Sequence, residues 1–268
     1  MRSARSTTAD LVERGRRGLA SVRAGTRAGI EHHAADRAVA GRREDFDELW
    51  EVVDIVPGWF ARVNAACLYR VLSSERPGAI VEIGSYLGRS TVFFGRALKQ
   101  LGIDGRIVSV DPHTGDRHVL EQLAVPTLPS YDLFSHHLAA ASVEDVVTAR
   151  VMTSTQAALE ELGPVDLLYV DGWHSYDAVV ADGKAWLPKL SDRGVVVFDD
   201  YLMHGEVAHA VEDLARSGAF HLWGTLAGQA VGGRAPTAPP GVERALAAFR
   251  SPAVRYVYRR PPGSEPAG

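Results

Sequence analysis

Acidic residues end two predicted strands in the second half of the chain. Asp171 ends the apolar run "LLYVD", and Asp199 and Asp200 end "VVVFDD". Because neighbouring parallel strands lie about 4.8 Å apart, these three carboxylates can converge on one cation. Without a cation they would raise one another's pKa, and a hard divalent ion such as Mg²⁺ removes that conflict. The alternative is that Asp199 or Asp200 caps the next helix, or that Asp171 contacts a cofactor.

A histidine lies beside the first of these acids. His174 follows Asp171 by three residues on the same predicted loop. Its ordinary pKa of about 6.5 suits a general base near neutral pH, although an isolated loop histidine can also be a plain surface residue. His113 and His204 are candidates to line an acceptor pocket. With one cysteine, Cys67, the sequence shows no zinc-ligand pattern.

The stretch "VEIGSYLGRST", residues 81–91, runs from an apolar strand through two glycines into a helical pattern. Gly84 and Gly88 permit a tight turn, and the start of the helix offers free N–H groups. The dinucleotide fingerprint requires a third glycine that is missing here, and Glu82 would repel a pyrophosphate. The corner therefore favours a cationic ligand that carries an amino acid, and it disfavours a nicotinamide dehydrogenase.

Further along, "RIVSVD" ends at Asp111, where an acid at a strand tip can accept both hydroxyls of a ribose. The segment "MTSTQAAL" offers Ser154 and Thr155 near a helix start. They could bond an adenine edge, or they could serve only to cap the helix.

Short apolar runs alternate with helical patterns from residue 79 onward, which is typical of βαβ units and a parallel sheet. The predicted fold class is α/β, a Rossmann-like, seven-stranded and mostly parallel sheet with helices on both faces. The seven predicted strands are "AIVEIG", "RIVSVD", "TARVMT", "VDLLYVD", "GVVVFDD", "FHLWGT" and "AGQAVGG".

The chain divides by composition into four predicted regions. Residues 1–43 form a basic helical arm that is mobile or oligomerising, 44–78 a helical cap, 79–233 the core, and 234–268 a Pro-rich tail. The arm carries ten arginines and four acids, a balance of +6, which leaves −10 for the rest. Nucleic-acid binding is disfavoured because the arm has no aromatic residue to stack on a base.

One cysteine excludes an intramolecular disulfide framework, and no apolar run reaches the roughly 18 residues of a membrane-spanning helix. The sequence therefore predicts no membrane span and a cytoplasmic location. Homo-oligomerisation through the arm is a further prediction.

Four motifs, "VEIGSYLGRST", "VSVDPHTGD", "YVDGWHSYDAVVAD" and "GVVVFDDY", resemble in order and spacing the class I S-adenosylmethionine-dependent methyltransferases. The resemblance covers about residues 57–232 and is to the group that includes sugar and macrolide-sugar O-methyltransferases. It implies that the methionine end of the cofactor lies at the glycine corner, the ribose on Asp111 and the adenine near Ser154. The cofactor-binding residues it implies are Glu82, Gly84, Ser85, Tyr86, Gly88, Ser90, Asp111, Ser154 and Asp171.

The same resemblance implies Mg²⁺ on Asp171, Asp199 and Asp200. Some members of this group carry an acidic base where this chain has Trp173, which leaves His174 as the implied base. The expected function is Mg²⁺-assisted methylation of a hydroxyl on a sugar or glycosylated small molecule. The alternatives are a metal-independent methyltransferase of a phenolic or carboxylate acceptor, and a non-catalytic cofactor-binding or nucleic-acid-associated protein.

Overall fold

The structure, a computed structural model, describes residues 35–114 and 130–248. Its first two complete helices, α1 (Arg43–Asp54) and α2 (Arg62–Glu75), lie in the region predicted as a cap. Helix α1 buries Phe46 and Val53, as their helical spacing predicts. Residues 1–34 of the predicted arm and 249–268 of the predicted tail lie outside the described residues.

All seven predicted strands form one sheet with helices between them, which confirms the predicted fold class. A short 3₁₀ turn, Leu187–Lys189, directly precedes the fifth strand. In chain order the elements are β1 (Ala79–Ile83), α3 (Arg89–Gln100), β2 (Arg106–Val110), α4 (Ser130–Ala140), β3 (Val147–Arg150), α5 (Ser154–Ala157), β4 (Val165–Val170), α6 (Tyr176–Trp186), β5 (Leu190–Phe198), α7 (Gly205–Arg216), β6 (His221–Leu226), β7 (Gln229–Gly233) and α8 (Pro240–Ala248).

The strand order is β3-β2-β1-β4-β5-β7-β6, and β7 is antiparallel to both of its neighbours. The order of the parallel strands reverses between β1 and β4. In open α/β sheets the ligand crevice lies at such a reversal, outside the carboxyl ends of the strands. Residues that follow β1, β2, β4 and β5 therefore meet at this edge.

Successive side chains of β4 point to opposite faces of the sheet and pack into two hydrophobic cores, one on each face. Leu167 and Tyr169 belong to the core that α1, α2 and α3 cover, together with Phe94. Leu168 and Val170 belong to the core beneath α6 and α7. Burial on both faces explains why this strand reads as a nearly continuous apolar run.

Within residues 35–114 and 130–248, no helix has the length and apolar character needed to cross a membrane.

Candidate functional site

The corner after β1 is held against the tips of both neighbouring strands. The amide of Gly84 donates to the carbonyl of Val110 (2.9 Å), and the amide of Asp171 donates to the carbonyl of Ile83 (2.8 Å). Gly84 has φ +85°, and a Cβ there would lie 2.0 Å from the carbonyl oxygen of Asp171. Only glycine fits this position, for reasons of both space and conformation.

Helix α3 begins directly after the corner, with Gly88 as its N-cap at φ +89°. Between the two glycines, Tyr86 also has a positive φ of 45°, which is uncommon for a residue with a side chain. Its ring lies 6.1 Å from that of Trp59, which is 63% exposed. An aromatic pair therefore lies at the loop that holds the two glycines.

Glu82 lies in β1 immediately beneath this corner and is fully buried. Its Oε2 accepts hydrogen bonds from the hydroxyls of Thr91 and Ser109. Burial raises its pKa to about 7, against the lowering effect of hydroxyls that include that of Ser90. Its charge at neutral pH therefore depends on whether a cationic group lies nearby.

Three buried polar atoms around the corner have no hydrogen-bond partner among the described residues. They are Oε1 of Glu82, the hydroxyl of Ser85 and the hydroxyl of Tyr86. Buried polar groups in proteins are nearly always paired, so a cluster of unpaired ones calls for an explanation. A polar ligand at the corner would supply the missing partners.

Asp111 follows β2 and faces the same corner. Its Oδ2 accepts from the amide of Tyr86 (2.8 Å) and its Oδ1 from the amide of His113 (2.7 Å). These two bonds fix the carboxylate, and each oxygen keeps a lone pair for another donor. The arrangement suits the predicted contact with two adjacent hydroxyls.

Asp171, Asp199 and Asp200 follow the adjacent strands β4 and β5, as predicted. Among the described residues, the group whose candidate ligand atoms all lie within 4.8 Å of one another is His174, Asp200 and His204, so the convergence of the three carboxylates on one cation stays a prediction. The amide of Asp199 donates to the carbonyl of Val170 (2.9 Å). Burial and the nearby charge of Asp199 raise the pKa of Asp171, and burial likewise raises that of Asp199. Burial favours a raised pKa at Asp200, but the hydrogen bond from His174 and the charges of His174 and His204 together outweigh it, so this pKa is lowered. The strand ends therefore concentrate negative charge in a poorly solvated place.

Asp199 is fixed by residues that the motifs did not reveal. The hydroxyl of Tyr169 donates to its Oδ2 (2.5 Å), while the side chain of Asn64 (3.4 Å) and the amide of Asp200 (2.8 Å) donate to its Oδ1. Gln229, itself fully buried, donates to the Tyr169 hydroxyl (3.3 Å). Asn64, Tyr169 and Gln229 are each a polar residue within an apolar stretch of sequence. This pattern was the signal from which their role around Asp199 could have been suspected.

His174 sits between the acids. Its Nε2 lies 3.0 Å from Oδ2 of Asp200 and 4.0 Å from Oδ1 of Asp171. Hydrogen bonding to Asp171 and Asp200 raises its pKa to about 10. The ring of His204, the N-cap residue of α7, stacks on that of His174 with centroids 4.5 Å apart. When no bound cation neutralises Asp171 and Asp200, His174 is therefore a cation at neutral pH and not the free base that its ordinary pKa suggests.

Comparisons with known proteins agree with this geometry. Residues 81–201 match the family model described as "Methyltransferase domain". The match covers 121 of the 268 residues, a little under half of the chain. This match confirms the resemblance of the four motifs to the class I methyltransferases.

A curated relative, "Uncharacterized protein y4gI" of Sinorhizobium fredii, is 34% identical over 128 residues. The match spans 47% of this chain and only 13% of that protein. Two solved structures share the fold of the methyltransferase domain. The SAH-bound methyltransferase PaMTH1 of Podospora anserina has a TM-score of 0.53 at 13% identity and covers 87% of this chain and 99% of its own. An O-methyltransferase of Bacillus cereus in complex with SAH has a TM-score of 0.50 at 15% identity, with 70% and 86% covered.

Two of the predicted contact residues of the methyltransferase domain already have partners. The hydroxyl of Ser154, at the start of α5, accepts from the indole N–H of Trp186 (2.8 Å). The hydroxyl of Thr153 caps α5 together with Gln156, so the predicted alternative of an N-cap falls on Thr153. The ring of His113 packs against those of Tyr131 and Phe134. The adenine contact of Ser154 and the acceptor contact of His113 remain predictions.

The close approach at Gly84 gives a first prediction. Gly84→Ala should abolish SAH binding and destabilise the methyltransferase domain, because the new Cβ meets the carbonyl of Asp171. Gly41 is a matched control, since it has the same φ of +85° but nothing within 4 Å of its Cβ position. Gly41→Ala should cost only the conformational strain, about 1–2 kcal/mol. Urea denaturation and SAH calorimetry measure both effects, and equal losses in the two variants would contradict the account.

The burial of Glu82 gives a second prediction. Its pKa rises from 4.5 when unfolded to about 7 when folded, so the folded state holds a proton that the unfolded state releases between these values. In the ligand-free protein, Glu82 therefore does not lower the free energy of unfolding below pH 4.5. As the pH rises to 7, its burial lowers the free energy of unfolding by up to about 3 kcal/mol. Glu82→Gln should remove this loss. A stability difference between wild type and variant that is the same at pH 5 and pH 8 would contradict the assignment.

Proposed function

We propose that the protein is an S-adenosylmethionine-dependent O-methyltransferase that methylates a hydroxyl of a sugar or glycosylated small molecule with Mg²⁺ assistance. One observation carries the proposal. The glycine corner, with the unpartnered Oε1 of Glu82 beneath it, lies directly beside the strand ends that are followed by three carboxylates and an imidazole, those of Asp171, Asp199, Asp200 and His174. A cofactor site and a site for activating a hydroxyl thus share one edge of the sheet.

The corner fits S-adenosylmethionine in charge and in hydrogen bonding. The unpaired Oε1 of Glu82 suits the cationic end of the ligand, and the fixed carboxylate of Asp111 suits the two ribose hydroxyls. Ser85, Tyr86 and Ser90 add hydroxyls around the same turn. Bound there, the cofactor would supply an electrophilic methyl group on a positively charged sulfur. The protein's part is to hold that methyl group in line with the acceptor oxygen.

Asp171, Asp199 and Asp200 would hold the divalent ion. Burial raises the pKa of Asp171 and of Asp199, and the nearby charge of Asp199 raises that of Asp171 further, so a divalent ion beside them would offset the cost of burying these carboxylates. Mg²⁺ prefers oxygen ligands of this kind. When bound, it would lower the pKa of the acceptor hydroxyl and so favour loss of its proton.

His174 is the residue that we assign to receive that proton. It lies on the loop after β4, with its Nε2 toward the two acids. Compensation of the Asp171 and Asp200 charges removes the interaction that keeps His174 protonated, which leaves Nε2 able to act as a base. Neighbouring Trp173 is 74% exposed, and Met203 is 62% exposed on the loop after β5. An exposed aromatic face beside the base suits a sugar ring.

A metal-independent methyltransferase is the second candidate, because His174 bonds Asp200 directly. A histidine held by a carboxylate can orient and activate a hydroxyl without an ion. In that case the acceptor would be more acidic, such as a phenol. The proposal differs from this candidate in requiring a divalent ion.

Methyl transfer measured with and without metal tests the proposal. We expect S-adenosylmethionine consumption with a panel of glycosides, loss of at least about 100-fold on exhaustive chelation, and recovery with Mg²⁺. Full activity after chelation, with phenols preferred over glycosides, would support the metal-independent candidate instead. Tight binding of NADH with no binding of SAH would contradict both.

His174→Ala tests the base. Removal of a general base typically costs about 10²–10⁴-fold in kcat, whereas SAH affinity should hardly change. His209→Ala is the matched control, because its side chain is 44% exposed against 42% for His174 and its Nε2 lies on α7 beside the carboxylate of Asp213. Wild-type turnover in His174→Ala would end the assignment.

A further inference from the structure

Two imidazoles and one carboxylate converge at the ends of β4 and β5. Oδ2 of Asp200 lies 3.0 Å from Nε2 of His174 and 3.9 Å from Nε2 of His204. Among residues 35–114 and 130–248, these three form the group whose candidate ligand atoms all lie within 4.8 Å of one another. His204 plays no part in the function proposed above.

We propose that His174, Asp200 and His204 form a binding site for a transition-metal dication of the zinc, cobalt or nickel class. Imidazole nitrogen is a preferred ligand of these ions, whereas Mg²⁺ takes oxygen ligands almost exclusively. Two nitrogens out of three donors therefore select against Mg²⁺. The site is distinct from the all-carboxylate set, although Asp200 belongs to both.

The distances suit such an ion. Ligand atoms around a tetrahedral zinc with bonds of about 2.0–2.1 Å lie roughly 3.4 Å apart, and the two measured separations from Asp200 lie on either side of that value. The side chains of His174 and His204 are 42% and 49% exposed, so an ion can enter and water can fill a fourth position. Small side-chain rotations complete the site.

The backbone holds the three ligands in place. Asp200 has φ +56°, and its carboxylate reaches His174 on the loop after β4. The amides of Met203 and His204 both donate to the carbonyl of Asp200 (2.9 Å each), so His204 is tied one turn away on the same loop. The two imidazole rings are nearly parallel, at 20° to each other. Their shared orientation brings both Nε2 atoms to one carboxylate.

Binding at this site would compete with the proposed chemistry. An ion there takes the lone pair of His174 Nε2 and an oxygen of Asp200, so His174 can no longer accept a proton. A zinc-class ion would therefore act as an inhibitor of methyl transfer, whereas Mg²⁺ supports it. This consequence rests on the proposed function, but the site itself does not.

Calorimetric titration of the full chain, free of any histidine tag, with Zn²⁺ and separately with Mg²⁺ tests the site. We expect wild type to bind one Zn²⁺ more tightly than Mg²⁺, and His204→Ala to bind Zn²⁺ at least about tenfold more weakly. Co²⁺ bound to wild type should give the visible absorption of a nitrogen-ligated ion, and this signal should be lost in His204→Ala. His209→Ala is the control and should bind Zn²⁺ like wild type.

Thermal unfolding and SAH affinity of each variant report whether it is folded. If His204→Ala misfolds, His204→Gln, which keeps a polar side chain of similar reach but lacks the imidazole, replaces it. The proposal is overturned if wild type binds Zn²⁺ no more tightly than Mg²⁺, or if folded His204 variants bind Zn²⁺ like wild type. Failure of the methyltransferase proposal would instead appear as absent SAH binding with zinc binding intact.

Discussion

The contact between the Gly84 backbone and the carbonyl of Asp171 is the constraint on which the sheet edge depends. It brings the end of β1 so close to the end of β4 that no side chain fits between them. The same closeness sets the cofactor corner beside the loop that carries Asp171 and His174. A larger residue at position 84 would push the cofactor corner away from the loop that carries Asp171 and His174.

The second constraint is electrostatic. Glu82, Asp171 and Asp199 all have raised pKa values because they are buried and, for Asp171, because Asp199 is near. Folding places these acids where their negative charge is poorly solvated, at a cost in stability. Cations supplied from outside the chain would offset that cost. A sulfonium amino acid at Glu82 and a divalent ion at the strand ends are the two that the proposed function provides.

Much of this architecture could be predicted from sequence because it depends on local patterns. Short apolar runs predicted all seven strands, three of which are followed by an acid, and the four-residue glycine spacing predicted the corner at Gly84 and Gly88. In the structure β5 begins at Leu190, upstream of the predicted "GVVVFDD", because Leu190 pairs with Val165 of β4. The added residues have little apolar pattern, so the sequence did not predict them as strand. β3 likewise ends at Arg150, short of the predicted "TARVMT".

The side-chain network behind the site could not be predicted, because it depends on contacts between residues distant in the chain. Asn64 reaches Asp199 from a helix 135 residues earlier, and Gln229 reaches Tyr169 from the antiparallel strand 60 residues later. Spacing alone cannot pair such residues. The stacking of His204 on His174 has the same origin, since the two residues follow different strands. These long-range contacts decide how the acids are oriented, and therefore which cation each of them would bind.

A crystal structure of the protein with SAH and Mn²⁺, with the ion located by anomalous scattering, tests the central claim most directly. We expect the methionine end of SAH at the Gly84 corner, its ribose hydroxyls on Asp111, and the anomalous peak among Asp171, Asp199 and Asp200. SAH bound away from the corner, or a strand-end cluster without manganese, would contradict it.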